Sequence, residues 1–164
     1  MPPLPRRVVV TRSGEGPASG TIGGARVIHA VTAADNPGGA AVHFAELPVG
    51  EGPPFHRHAA FDEVFVILEG VVEFQADDTL ITAAAGDVVF VPGEIPHAPR
   101  CTAGNGRGVA RLLTVVTPGR FNGFFEAMGE LVARGAGRDA VLNLAAEYGI
   151  EFVDRPPLRE SEHP

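Results

Sequence analysis

The sequence predicts an all-β fold with short C-terminal helices, on three observations. Short runs rich in Val, Ile, Phe and Thr recur from Val8 to Thr117, each bounded by Gly, Pro, Asn or Asp. From Phe121 onward the apolar residues recur at helical spacing instead. Residues able to ligate a metal gather in two of the turn-bounded stretches, 50–70 and 86–97.

Taken in order, Val8–Arg12 reads as an edge strand and Ser13–Gly24, rich in Gly, Ser and Pro, as a loop. The glycines of that loop are followed by neither Gly-Lys-Ser/Thr nor a helix, so it is no phosphate loop. Ala25–Ala33 is a strand, and Asp35-Asn36-Pro37-Gly38-Gly39 turns the chain into a strand at Ala41–Leu47. There Ala41, His43, Ala45 and Leu47 alternate with Val42, Phe44 and Glu46. His29 and His43 carry no ligand spacing and read as ordinary strand residues. Phe61–Leu68, Val71–Gln75, Thr79–Ala84 and Asp87–Val91 are further strands, with Asp77-Asp78 a solvated tip. Pro92–Pro99 holds three prolines and reads as a stiff loop presenting His97, and Thr102–Gly108 as a second loop. Val109–Thr117 is the last long strand, with Arg111 facing outward.

Phe121, Phe124, Phe125, Met128, Leu131 and Val132 then form one helical stripe, stopped by Gly135-Ala136-Gly137. A second helix at Asp139–Tyr148 places Val141, Leu144, Ala145 and Tyr148 on one face. Both stripes read as packing against the sheet, and the first helix offers Phe125 or Met128 to a pocket. Arg155–Pro164 reads as a loose tail.

The chemistry lies between Gly50 and His97. His56 and His58 are two apart, so on a strand both imidazoles leave one face. Glu63 is an odd step further, and the chain between must bend or bulge for all three to converge. His97 has to arrive from another strand. Three imidazoles and one carboxylate suit a single divalent transition ion (Mn, Fe, Co, Ni or Zn) better than Ca or Mg, which prefer oxygen donors. Glu63 lies in an otherwise apolar run, where a buried acid needs a partner and a cation supplies one.

These residues resemble the two motifs of the cupin superfamily. Gly50, His56, His58, Glu63 and Gly70 fill every place of the first motif; Gly86, Pro92 and His97 match the second. Glu94 stands where the second motif has Gly, and Cys101 where it has Asn. Val116–Glu130 and Leu144–Phe152 are similar to the segment after the barrel in small, single-domain quercetin-dioxygenase-like cupins. The resemblance implies a double-stranded β-helix, a jelly-roll barrel spanning about residues 25–117 with a helical tail over about 120–149, in a single cupin domain. It implies a metal inside the barrel on His56, His58, Glu63 and His97, with Glu63 also accepting the proton of a substrate hydroxyl. It further implies a homodimer.

Composition narrows the function. The 164 residues suit one domain. A net charge of −7 opposes nonspecific nucleic-acid binding. All 13 basic residues are Arg, so a Schiff-base lysine mechanism is excluded. The single Cys101 forms no internal disulfide and fits a reducing compartment. No stretch reaches membrane-span length, and Val8-Val9-Val10 is too short for a signal-peptide core, so the expectation is a cytoplasmic protein with a small-molecule substrate. The leading expectation is a metal-dependent dioxygenase acting on an enolisable or hydroxylated, flavonol-like aromatic. A metal-dependent isomerase, cyclase or lyase would use the same ligands; a non-catalytic small-molecule-binding cupin is the third class.

Overall fold

The structure is a computed structural model and describes residues 8–12, 14–20, 23–32 and 34–154. Two antiparallel sheets face each other. The larger contains β1 (Ala18–Gly20), β2 (Arg26–Val31), β3 (Ala41–Pro48), β5 (Asp62–Glu69), β8 (Val88–Val91) and β10 (Val109–Thr117), in the order β1-β2-β3-β10-β5-β8. The smaller contains β4 (His56–His58), β6 (Val71–Ala76), β7 (Thr79–Ala84), β9 (His97–Ala103) and β11 (Ile150–Phe152), in the order β11-β4-β9-β6-β7. The architecture is jelly-roll-like, and its two sheets keep separate edges rather than closing into a continuous barrel.

Alternation along the strands builds the interior. On β5, Glu63, Phe65 and Ile67 are buried while Val64, Val66 and Leu68 face outward. Phe65, Ile67, Val72, Phe74 and Leu112 meet in one core cluster, where each large side chain contributes roughly 1.5–3 kcal/mol of transfer free energy. A second cluster forms where α1 (Asn122–Ala133) and α2 (Arg138–Glu147) cover the sheets, with Phe61, Phe121, Phe124, Met128 and Ala145 buried together. The turn at Gly70 requires glycine twice over, with φ at 85° and a would-be Cβ 2.6 Å from the Ala103 carbonyl. No helix among the described residues is long and apolar enough to cross a membrane.

Several segments differ from the sequence reading. Residues 8–12 form no strand, and Thr11 Oγ1 instead donates to the Ala30 carbonyl at 2.6 Å. The glycine-rich segment after them contains the short β1, which pairs with β2 through Ala18↔Ile28. The proline-rich stretch after Val91 ends earlier than expected, because β9 begins at His97 and runs through Pro99. Gly52 packs against the Pro99 carbonyl, so the missing N–H of Pro99 lies on that side, away from β6, and no β6 ladder bond is lost. β11 was not anticipated at all; it pairs with β4 through Ile150↔His58 and Phe152↔His56. Arg155–Pro164 lies outside the described residues.

Candidate metal centre

The two sheets supply the ligand side chains in different ways. β4 is three residues long and sends His56 and His58 from the smaller sheet. The chain then crosses to the larger sheet through Ala59, Ala60 and Phe61, and Glu63 follows on β5. The odd spacing between His58 and Glu63 is thus resolved by a change of sheet rather than by a bulge. His97 opens β9 and is the register partner of His56.

His56, His58, Glu63 and His97 each present a ligand atom within 4.8 Å of the others, a group that can hold a metal ion. The three imidazole centroids are 4.6–4.9 Å apart. Glu63 Oε2 lies 3.2 Å from His97 Nε2 and 3.5 Å from His58 Nε2. His58 and His97 are fully enclosed, Glu63 nearly so, and His56 is half-buried.

Hydrogen bonds set which ring nitrogen is available. His56 Nδ1 donates to the Pro54 carbonyl at 2.7 Å, and His97 Nδ1 to the Ile95 carbonyl at 3.0 Å. A carbonyl only accepts, so both rings carry their proton on Nδ1 and turn a lone pair outward from Nε2. At His97 that lone pair faces the carboxylate of Glu63, and a cation or a proton has to stand between two acceptors so close. His58 stacks on Phe61 with ring centroids 4.1 Å apart, and neither of its buried ring nitrogens has a hydrogen-bond partner among the described residues. A buried polar atom without a partner costs roughly 1–3 kcal/mol, which a metal bond would remove.

Burial also keeps the ligands in their binding form. It drives the His56 imidazole down to about 3, with His97 adding to the effect while the bond to Pro54 opposes it. Burial, then the neighbouring His56 and His97, drive His58 down to about 2. Neutral imidazoles are what a divalent ion requires. A set of three nitrogens and one carboxylate fits a borderline transition ion.

The group opens onto a cavity of about 120 Å³ that both His56 and Glu63 line. Phe65, Phe121, Phe124, Phe125 and Met128 form much of its wall. The first helix therefore lends both Phe125 and Met128, together with Phe124 that was read as packing alone. His43 and Thr114 also line it, although His43 was read as an ordinary strand residue. The signal was present in the alternation, since His43 shares its face with Ala41 and Leu47, both buried. Arg111 turns away and pairs with Glu69 at 2.7 Å, and Cys101 is buried in the core.

Residues 43–116 match the family model described as a cupin domain, the stretch that contains all four candidate ligands. An uncharacterized protein of Methanocaldococcus jannaschii is 32% identical to the chain over 53 residues, which is 32% of this chain and 42% of that protein. The match therefore spans less than half the length of that relative. Among solved structures, a predicted oxalate decarboxylase from Thermotoga maritima aligns with a TM-score of 0.60 at 22% identity, covering 68% of this chain and 99% of that one. KdgF from Halomonas sp. aligns at 0.58 and 12% identity, over 69% of this chain and 96% of the other. An RmlC-like cupin from Shewanella frigidimarina aligns at 0.56 and 16% identity, over 68% and 91%. At these identities the likeness is one of fold, the jelly-roll-like arrangement described above.

Proposed function

We propose that the protein is a metal-dependent enzyme of the quercetin-dioxygenase-like type, with one divalent transition ion on His56, His58, Glu63 and His97. Its substrate in this reading is a small enolisable or hydroxylated aromatic compound. One observation carries the proposal: His56 and Glu63 belong at once to the ligand cluster and to the wall of an aromatic-lined cavity. The cavity of about 120 Å³ is close to the roughly 150 Å³ that admits benzene in an engineered core, so it has room for an aromatic ring.

When bound, the ion supplies Lewis acidity and a coordination position for an exogenous oxygen donor. The protein's own residues do the rest. Glu63, held beside His58 and His97, accepts the proton of an incoming hydroxyl and can return it. His56 and His97 stay oriented by their bonds to Pro54 and Ile95. The phenyl groups of Phe65, Phe121 and Phe125 exclude water and present flat faces to an aromatic guest. The similarity of Val116–Glu130 and Leu144–Phe152 to quercetin-dioxygenase-like cupins supports the subfamily more than the substrate, and the same four residues would serve an isomerase, cyclase or lyase.

Elemental analysis of purified protein, followed by parallel aerobic and anaerobic screens with monocyclic hydroxylated aromatics and small diketones, tests it. The expected result is close to one transition ion per chain and oxygen uptake matched to substrate loss. Turnover that persists without oxygen would instead mean an isomerase, cyclase or lyase using the same ligands. Metal without any turnover would mean a binding protein, and folded protein that takes up no metal would end the proposal.

A further inference from the structure

Among the described residues, the cavity has four polar side chains in its wall: His43, His56, Glu63 and Thr114. Two belong to the ligand cluster, and the other two stand side by side elsewhere. Thr114 on β10 is the register partner of His43 on β3 and, on its other side, of Phe65 on β5. The same row continues from His43 to His29 on β2. Glu63 occupies the next inward-facing row, two residues along β5 from Phe65. Strand spacing and rise then put the Cα atoms of His43 and Glu63 roughly 12 Å apart, with both side chains on the cavity side of the sheet.

His43 is 1% exposed, and neither of its ring nitrogens has a hydrogen-bond partner among the described residues. Its surroundings explain why it is held in place: its ring lies edge-on to His29 and Phe125, each with centroids 5.3 Å away. His29 is itself occupied by Ser19, whose Oγ lies 3.0 Å from His29 Nε2. Apolar residues of equal volume would pack here without leaving polar atoms unsatisfied, whereas an imidazole facing a cavity gains a partner when a ligand arrives. A neutral imidazole both donates and accepts, so it suits a hydroxyl or a carbonyl oxygen equally.

We infer that His43, with Thr114 beside it, is a second polar anchor of the cavity, binding a hydroxyl or carbonyl oxygen on a monocyclic substrate whose other oxygen is directed at the His56–His58–Glu63–His97 cluster. This rests on the metal-dependent reading above and narrows it, because the substrate then carries oxygens on two sides of one ring.

The test uses full-length protein loaded with Co(II) and three probes: benzohydroxamic acid and its 3-hydroxy and 4-hydroxy derivatives. All three share the metal-binding head and differ only in a ring hydroxyl. Calorimetric titration of wild-type protein is expected to show at least one hydroxylated probe binding about five- to tenfold tighter than the parent, the effect of one net hydrogen bond. His43→Phe is expected to abolish that preference, the hydroxylated and parent probes then binding equally, and Thr114→Val to reduce it. His43→Leu provides the same comparison should the phenylalanine not be accommodated. Equal binding of all three probes by the wild type, or an undiminished preference in the His43 variants, overturns the inference while leaving the metal-dependent reading intact. Failure of every probe to bind the Co(II)-loaded wild type overturns both.

Discussion

The backbone N–H of Glu94 donates to the carbonyl of His58 at 2.7 Å, tying the loop that leads to His97 to the strand that carries the earlier pair of imidazoles. Glu94 makes this bond at φ 71°, a left-handed conformation that favours glycine. The second cupin motif has glycine at this place, so the turn is kept and the strain is carried by a glutamate. The side chain contributes little in return, since its 3.7 Å pair with Arg57 is exposed. Glu94→Gly is therefore expected to stabilise the protein by about 0.5–1 kcal/mol, read as a higher urea midpoint, with metal binding unchanged. A lower midpoint would mean that the ion pair outweighs the strain.

A second bond pins the same loop. Gly93 N–H donates to Asp62 Oδ1 at 2.7 Å, and Asp62 directly precedes Glu63. Asp62→Ala removes no ligand but frees the loop that positions His97. Metal affinity is expected to fall about tenfold with the circular dichroism spectrum intact, measured by competition with a chromophoric chelator.

Removing ligands should separate metal retention from turnover. His58→Ala and His97→Ala are each expected to bring bound metal close to zero by elemental analysis while the β-sheet spectrum persists. Glu63→Gln keeps an oxygen donor but cannot accept a proton as a carboxylate does. It should lose turnover by 100-fold or more, a scale typical of general-base removal, while keeping a larger share of its metal. Parallel loss of both would remove the proton-accepting role.

Acid should destabilise the metal-free protein. Burial holds His43 and His56 down to about 3 and His58 to about 2, while the unfolded chain protonates imidazole near 6.5. Between those values the unfolded state binds more protons, so stability rises with pH across that window and falls as the solution is acidified below about 6.5. Each histidine adds up to about 1.4 kcal/mol per pH unit. Urea midpoints of chelator-treated protein from pH 4.5 to 8 check the slope, and His43→Phe should flatten it by about a third.

We propose that the protein pairs as a homodimer through an edge of the larger sheet. Strand β8 ends that sheet and leaves Val88 and Phe90 more than half exposed, beside the outward Val64 and Val66 of β5. Sedimentation is expected to give a dimer for the wild type and a monomer for Phe90→Glu.

The four residues that the fold gathers into one group and most strands were legible in the residues themselves. A strand such as Val109–Thr117 announces itself by local alternation, and its bounds in the structure are the same. His56, His58, Glu63 and His97 stood out because imidazoles and a carboxylate between turn-forming glycines form a local pattern. The segments that escaped are those whose structure depends on distant partners. β11 has three residues and forms because β4 offers it an edge, with Glu151 pairing with Arg57 at 2.6 Å. β9 contains a proline whose missing N–H faces away from β6, on the side where Gly52 meets the Pro99 carbonyl.

By itself, then, the sequence determined the all-β character, the helical C-terminal segment and which four side chains form the candidate ligand group, because periodicity and residue chemistry are local properties. The tertiary structure decided that His58 and Glu63 meet by a change of sheet, that β11 buttresses the ligand strand, and that His43 faces the cavity. Those outcomes depend on which strands lie side by side, and strand pairing is set by the packing of residues far apart in the chain.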